Sequence, residues 1–188
     1  MISLIVATDL NGAIGIKGDN RLPWHCSEDM KYFKEKTTGK VVIMGENTWF
    51  SLPDKFRPLP DRKSIVLTDD INRLFKDDKF IEDQSENRPL AASNIHYSYL
   101  LAESFMKKNE KYGNEIIVMG GYSIYMQFLE LGLIDKIYIN VLNLEVDRPE
   151  EDLLFFPFSP EEPHSNWVRQ MKMETPEMTA YIFQRKTK

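Results

Sequence analysis

The segment Leu22-Pro23-Trp24-His25-Cys26-Ser27-Glu28-Asp29-Met30-Lys31-Tyr32-Phe33 sets a carboxylate and an aromatic ring four positions apart at the start of an expected helix. Positions i and i+4 share a helix face. Asp29, Met30 and Phe33 then offer an acid inside an apolar wall, which suits gripping a flat, protonatable heterocycle by its edge while an aromatic covers its face. Alone the pattern is weak, because Glu28 and Asp29 also suit the positive end of any helix. Two strand-to-helix junctions carry further chemistry. Glu115 to Tyr125 runs from an apolar strand through Gly120-Gly121 into a helix. Without Cβ atoms these glycines admit a ligand to the backbone, and the helix start offers N–H groups to phosphate. A turn built for tight packing explains the same two glycines equally well. Val42 to Pro53 repeats the order of strand, Gly45 and helix. Two such junctions at the carboxyl ends of sheet strands are what an extended pyrophosphate needs.

These residues must be positioned by a sheet. Strands are expected at Ile2 to Ala7, Val41 to Met44, Ser64 to Leu67, Glu115 to Met119, Lys136 to Leu142, Trp167 to Met173 and Thr179 to Arg185, most of them dense in Val, Ile and Tyr. Helices are expected at Ser27 to Lys36, Glu46 to Leu52, Ile95 to Glu110 and Tyr122 to Leu131. Their alternation argues for an α/β sandwich, a largely parallel sheet covered on both faces, with the last two strands added as an antiparallel hairpin. Lys76 to Ser93 and the Pro- and acid-rich Asp147 to Asn166 read as long surface loops. No internal repeat or low-complexity tract interrupts the chain.

A length of 188 residues suits one core, so a single domain over 1–188 is expected. Apolar residues at 42% and charged residues at 28% fit an ordinary globular protein. A net charge of -5, without a basic run, argues against a nucleic-acid surface. The single cysteine, Cys26, excludes an intramolecular disulfide, and three histidines make a Cys/His metal cage improbable, so no metal is expected. A reducing cytosol fits this usage. Met1 to Ala7 lacks a basic leader and reads as a buried strand, and no stretch is long enough to span a membrane.

At these residues the chain resembles the dihydrofolate reductase family. The resemblance lies in Met1 to Ala7, Ala13-Ile14-Gly15 followed by Leu22-Pro23-Trp24, Asp29 to Phe33, Val42 to Leu52, Arg57 to Lys63, and Val118 to Tyr125, in the family's order and spacing over about residues 1 to 145. It implies a three-layer fold with a central eight-stranded, mostly parallel sheet and four flanking helices. It also implies hydride transfer from a reduced nicotinamide cofactor, NADPH, to 7,8-dihydrofolate, giving tetrahydrofolate. Asp29 would take the pterin's ring nitrogen and exocyclic amine, and would support protonation of the adjacent ring nitrogen through a water near Trp24. Phe33, Met30, Leu52 and Leu59 would line the pterin and benzoyl pocket, with Ile5, Met119 and Tyr125 beside them. Arg62 would fork the substrate's glutamate α-carboxylate, for which Arg suits better than Lys; otherwise it is a solvated surface arginine. Ala7, Ile14, Gly120, Gly121 and Tyr125 would surround the nicotinamide and its ribose, and Thr48 with the Gly121 backbone would meet the pyrophosphate. Further cofactor contacts are implied at Gly15, Ile16, Gly45 and Asn47, at Leu67, and at Met119, Tyr122, Ser123 and Ile124. Ile16 to Leu22 would be a mobile flap that closes over the nicotinamide and excludes water, its Leu22 reaching the reaction centre.

Several residues depart from the family. Asn140 stands where a Thr behind the acid is usual, so an amide would have to replace a hydroxyl as the partner of Asp29. Glu46, and Asp69 after Thr68, stand where cations are expected to face the cofactor. They predict poor discrimination between NADPH and NADH, unless Arg73, Lys76 or Arg88 reaches in from the following loop. Two other readings compete: a riboflavin-pathway or pterin-like reductase of the same fold, and a folate-binding or structural protein that has lost turnover. Asp29, Phe33 and Arg62 argue against the first, and an intact Asp29 against the second. The expected partners are dihydrofolate and antifolate inhibitors, with the chain a cytoplasmic monomer.

Overall fold

The computed structural model describes residues 1–75 and 88–186. In chain order its elements are β1 (Ile2–Thr8), β2 (Ala13–Ile16), α1 (Ser27–Thr37), β3 (Val41–Gly45), α2 (Glu46–Ser51), β4 (Lys63–Leu67), α3 (Ile71–Leu74), β5 (Leu90–Ala92), α4 (Ile95–Lys108), β6 (Ile116–Val118), α5 (Tyr122–Glu130), β7 (Lys136–Leu142), β8 (Leu153–Phe155), β9 (Trp167–Glu174) and β10 (Met178–Arg185). Eight strands form one sheet in the order β5-β4-β3-β6-β1-β7-β10-β9. Its first six strands pair in parallel, and β10 joins antiparallel to both β7 and β9.

Strands β3 and β4 are buried along their whole length, as expected where helices cover both faces of a parallel sheet. Successive side chains of β1 go to opposite sides: Leu4 and Val6 pack with α4 and α5 residues such as Ala102 and Phe128, while Ile5 packs with Tyr32 of α1 and Trp49 of α2. The helices thus form two layers around the sheet. Their alternation brings the carboxyl ends of β1, β3, β4 and β6 to one edge, where the glycine junctions lie.

Two expected loops are corrected. Asp147 to Asn166 is no plain surface loop, because it contains β8, which pairs antiparallel with β2 through Ala13↔Phe155, Gly15↔Leu154 and Ile16↔Leu153. Leu153, Phe156 and Phe158 are buried. Their apolar run pulls the segment onto the core despite the acids and prolines around it. In Lys76 to Ser93, residues 76–87 lie outside those described, and Leu90–Ala92 is an edge strand registered on Ile65–Leu67 of β4. The helix expected to reach Glu110 stops at Lys108, and a short 3-10 turn, Glu110–Tyr112, follows it.

Candidate active site

A cleft of about 940 Å³ opens at the carboxyl ends of these strands, under residues 16–22. Its floor includes Ile5, Val6 and Ala7 of β1, Gly45 at the end of β3, and Met119 just past β6.

The acid of the cleft is set by the start of α1. Cys26 caps that helix, its sulfur accepting the Asp29 backbone N–H at 3.4 Å, and its S–H faces the Glu177 carboxylate at 3.3 Å. Glu177 also accepts the Glu28 N–H, and the Thr175 hydroxyl donates to the Glu28 carboxylate, so the β9–β10 turn holds the first turn of α1 in place. Asp29 is only 8% exposed, yet it lines the cleft. Asn140 of β7 donates its amide N–H to Asp29 Oδ1 at 2.7 Å. Burial pushes the Asp29 carboxyl above the usual carboxylate range, and the Asn140 hydrogen bond opposes that rise without cancelling it. Met30 and Phe33 continue the wall from the same helix. Across from them Tyr125 donates its hydroxyl to the Ile5 carbonyl at 2.7 Å. Burial, and then the nearby Asp29 charge, push the Tyr125 phenol far up, so it stays neutral.

The glycine junctions meet directly, Gly45 N–H donating to the Gly120 carbonyl at 2.8 Å. Gly120 has φ +116°, and a Cβ there would lie 3.0 Å from the Tyr125 hydroxyl oxygen. A Cβ on Gly121 would approach Thr48 Oγ1 to 3.2 Å. A side chain at either position would crowd these neighbours, the φ of Gly120 disfavours one in any case, and the peptide between the two glycines is cis. α5 begins at Tyr122 without a side-chain cap, which leaves its first turn to offer backbone N–H groups to the cleft. At the far end, Glu46 accepts the Thr68 hydroxyl at 2.6 Å and pairs with Arg73 at 2.7 Å.

Over residues 1–188 the chain matches the family model described as dihydrofolate reductase. It belongs to the dihydrofolate reductase family. Similar proteins include the dihydrofolate reductase of Candida albicans, 29% identical over 180 residues that cover 92% of this chain and 82% of that one. The dihydrofolate reductase of Haemophilus influenzae is 36% identical over 156 residues, covering 82% and 78%. That of Staphylococcus haemolyticus is 35% identical over 156 residues, covering 83% and 76%. As a member of this family the chain is an oxidoreductase that reduces dihydrofolate.

Most residues expected at a dihydrofolate reductase site do line the cleft: Leu22, Ile14, Gly15 and Ile16 on one side, Leu52 from the end of α2, and Asn47, Thr48, Leu67, Thr68, Asp69, Tyr122, Ser123 and Ile124 around the ends of β3, β4 and β6. Five do not. Asn140 sits behind Asp29, Gly120 turns its carbonyl to Gly45, and Leu59 is buried in the layer that includes Tyr32 and Trp49. Trp24 faces a second cavity of about 720 Å³ that Ile16, Asp19, Arg21 and Leu22 also line, and its indole N–H is buried without a partner among the described residues. Arg62 is not a solvated surface arginine, being 3% exposed. Its guanidinium donates to Thr37 Oγ1 at 2.8 Å, to the Pro60 carbonyl at 2.7 Å and to the Lys34 carbonyl at 3.3 Å. Ser93, Asn94, Gln127 and Leu154 also line the wall and were not expected there. Asn94 was legible as a helix cap, since its side chain accepts the Tyr97 N–H of α4. Leu154 lies on the unanticipated β8 and carried no such signal.

Proposed function

We propose that the cleft binds dihydrofolate with its pterin edge on Asp29, and NADPH along the Gly45 and Gly120-Gly121 junctions. The observation that carries this reading is Asp29, the one buried carboxylate on the cleft wall among the described residues. A carboxylate held there accepts from a ring N–H and an exocyclic amine together, and so orients the pterin. Met30, Phe33 and Leu52 cover the ring and the benzoyl group that follows it. Arg62 spends three of a guanidinium's five N–H donors inside the protein, which leaves two in fixed directions for a bidentate hold on the glutamate α-carboxylate.

The fit to a dinucleotide rests on the side-chain-free approach at Gly120 and Gly121, beside the uncapped start of α5 and Thr48. When bound, the cofactor supplies the hydride. Asp29, its carboxyl raised by burial, holds the pterin and favours a proton at the adjacent ring nitrogen, relayed by a water near Trp24. Tyr125 stays a neutral donor, and Leu22 with the rest of the flap excludes bulk water. We infer further that residues 1–188 act as one domain, as a monomer in the cytosol; the sheet that runs from β1 to β10 supports the first point. Among the described residues no helix is long and apolar enough to cross a membrane.

Steady-state assay of the purified chain tests the reading. Oxidation of NADPH should require dihydrofolate, and a diaminopteridine antifolate, whose protonated ring pairs with Asp29, should compete with it. Turnover that is insensitive to the antifolate would overturn the assignment of Asp29.

A further inference from the structure

The far end of the cleft, to which the cofactor reading above assigns the adenosine, carries charges that hydride transfer does not need. Glu46, the first residue of α2, lines the wall, and so does the exposed Asp69 just past β4. Glu46 is held twice, by the Thr68 hydroxyl on Oε2 and by Arg73 on Oε1. Arg73 itself is not part of the wall. It reaches Glu46 from α3, its guanidinium carbon 5.0 Å from the centre of the Phe50 ring, and its side chain is 50% exposed against 26% for Glu46. Asp70 caps α3 through the N–H groups of Asn72 and Arg73. A half-exposed cation outside the wall is thus paired with a carboxylate on it. Of the other cations nearby, Arg88 lies over the Phe75 ring at 4.7 Å, and Lys76 falls outside the described residues.

We propose that Glu46 and Arg73 together set the choice between phosphorylated and unphosphorylated nicotinamide dinucleotides, and that Glu46, by holding Arg73, leaves the chain nearly indifferent between them. The inference rests on the cofactor reading above. A ribose 2′-phosphate carries about -1.5 to -2 charges and is best met by the guanidinium fork. Here it must draw Arg73 away from Glu46 and then lie beside the Glu46 and Asp69 carboxylates. Glu46 keeps its Thr68 hydrogen bond when Arg73 leaves, so the exchange is feasible. The bare 2′-hydroxyl asks for no cation and donates to a carboxylate instead. Gain and repulsion offset for one cofactor, and the other binds the resting arrangement as it stands.

Three consequences follow for substitutions. Glu46→Gln removes a competing charge and frees Arg73, which swings preference toward the phosphorylated form. Arg73→Gln swings it the other way. The gain from Glu46→Gln depends on Arg73, so the two changes are not additive. The experiment is calorimetric titration of the full chain with NADP⁺ and NAD⁺, in wild type, both single variants and the double variant. The wild-type ratio of affinities should lie within about tenfold of unity, Glu46→Gln should raise it toward NADP⁺ by about tenfold or more, and the double variant should lose that gain. A larger wild-type preference, or a Glu46→Gln gain that persists without Arg73, would overturn the proposal while leaving the cofactor reading intact. Binding of neither dinucleotide would instead overturn the cofactor reading, and the proposal with it.

Discussion

Asp29 and Arg62 are both buried, and the protein deals with their charges in opposite ways. Among the described residues Asp29 has one side-chain donor, Asn140, which is too little to offset burial, so its carboxyl is raised. A group whose folded-state pKa is raised contributes stability below its unfolded pKa, and loses it as pH climbs through the folded pKa. The Asp29 contribution therefore works against the folded state as pH rises from the acid side. Asp29→Asn removes that charge and keeps an oxygen for Asn140. It should lower turnover by roughly two orders of magnitude or more, the scale of a lost general acid/base group. It should also be no less stable than wild type at pH 7 in urea unfolding. Near wild-type turnover would remove Asp29 from the chemistry. Arg62 instead meets three internal acceptors among the described residues, and burial lowers its pKa. Arg62→Leu should cost about 1.5 to 3 kcal/mol of dihydrofolate binding, the scale of a hydrogen bond to a charged group. It strips the Thr37, Pro60 and Lys34 oxygens of a donor as well, so stability falls too. Affinity for a pterin lacking the glutamate separates the two effects: equal losses for both ligands would show that Arg62 acts through folding alone.

At the scale of elements, what could be read in the sequence was what repeats or runs long. The helices from Ser27, Glu46, Ile95 and Tyr122 begin at the expected residues, and the apolar runs of β1, β3, β4, β6 and β7 became strands within a residue or two of their expected ends. The short, partner-dependent pieces were not legible. β2 is four residues with a glycine inside, β5 and β8 are three each, and none of them has a local pattern that outweighs the acids, prolines or polar residues alongside. They exist because of pairing partners distant in the chain. The site shows the same division: Asp29, Phe33 and the glycine junctions could be found by spacing, whereas the burial of Arg62 and the Arg73–Glu46 pair depend on tertiary placement. The β2–β8 ribbon has an anchor of the same hidden kind. Asp9, 1% exposed, accepts the N–H groups of Asn11 and Ala13 on Oδ1 and that of Val146 on Oδ2. It thus ties the turn that leads into β2 to the connection that leads into β8. Asp9→Ala leaves three backbone donors without their acceptor and should cost about 1 to 3 kcal/mol of stability. Because Ile14, Gly15 and Ile16 line the cleft from β2, cofactor affinity should weaken in the same variant. Denaturant unfolding together with cofactor titration checks both, and an unchanged dissociation constant in a destabilised variant would confine Asp9 to folding.

Across the whole molecule, the sheet separates two buried acids with opposite pH behaviour. Asp29 belongs to the carboxyl-end cleft, its partner Asn140 lying level with Ala7 of β1. Glu115 immediately precedes β6 at the other end, where it accepts from Ser3 Oγ at 2.6 Å and Tyr138 Oη at 3.0 Å, with Lys40 at 3.3 Å and Lys136 at 3.7 Å. Burial by itself would raise the Glu115 carboxyl, but Ser3, Lys136, Tyr138 and Lys40 together outweigh it and leave the group below its ordinary value. A depressed carboxyl contributes stability above its unfolded pKa, about 4.3 for Glu, and loses it as pH falls through the folded value. Glu115 thus favours the folded state increasingly as pH rises from the acid side, the opposite sense to Asp29. Glu115→Gln keeps one acceptor for Ser3 or Tyr138 but leaves both lysines without a counter-charge. Its loss at pH 7 should be about 1 to 3 kcal/mol, as for a hydrogen-bonded charged group that loses its partners. The loss should shrink steadily as pH falls below the carboxylate range, because the wild-type Glu115 is then itself neutral. Urea unfolding of the two proteins at a series of pH values from acid to neutral measures this convergence. A constant difference across that series would show that Glu115 stabilises the amino-end side of the sheet by shape and hydrogen bonding rather than by its charge.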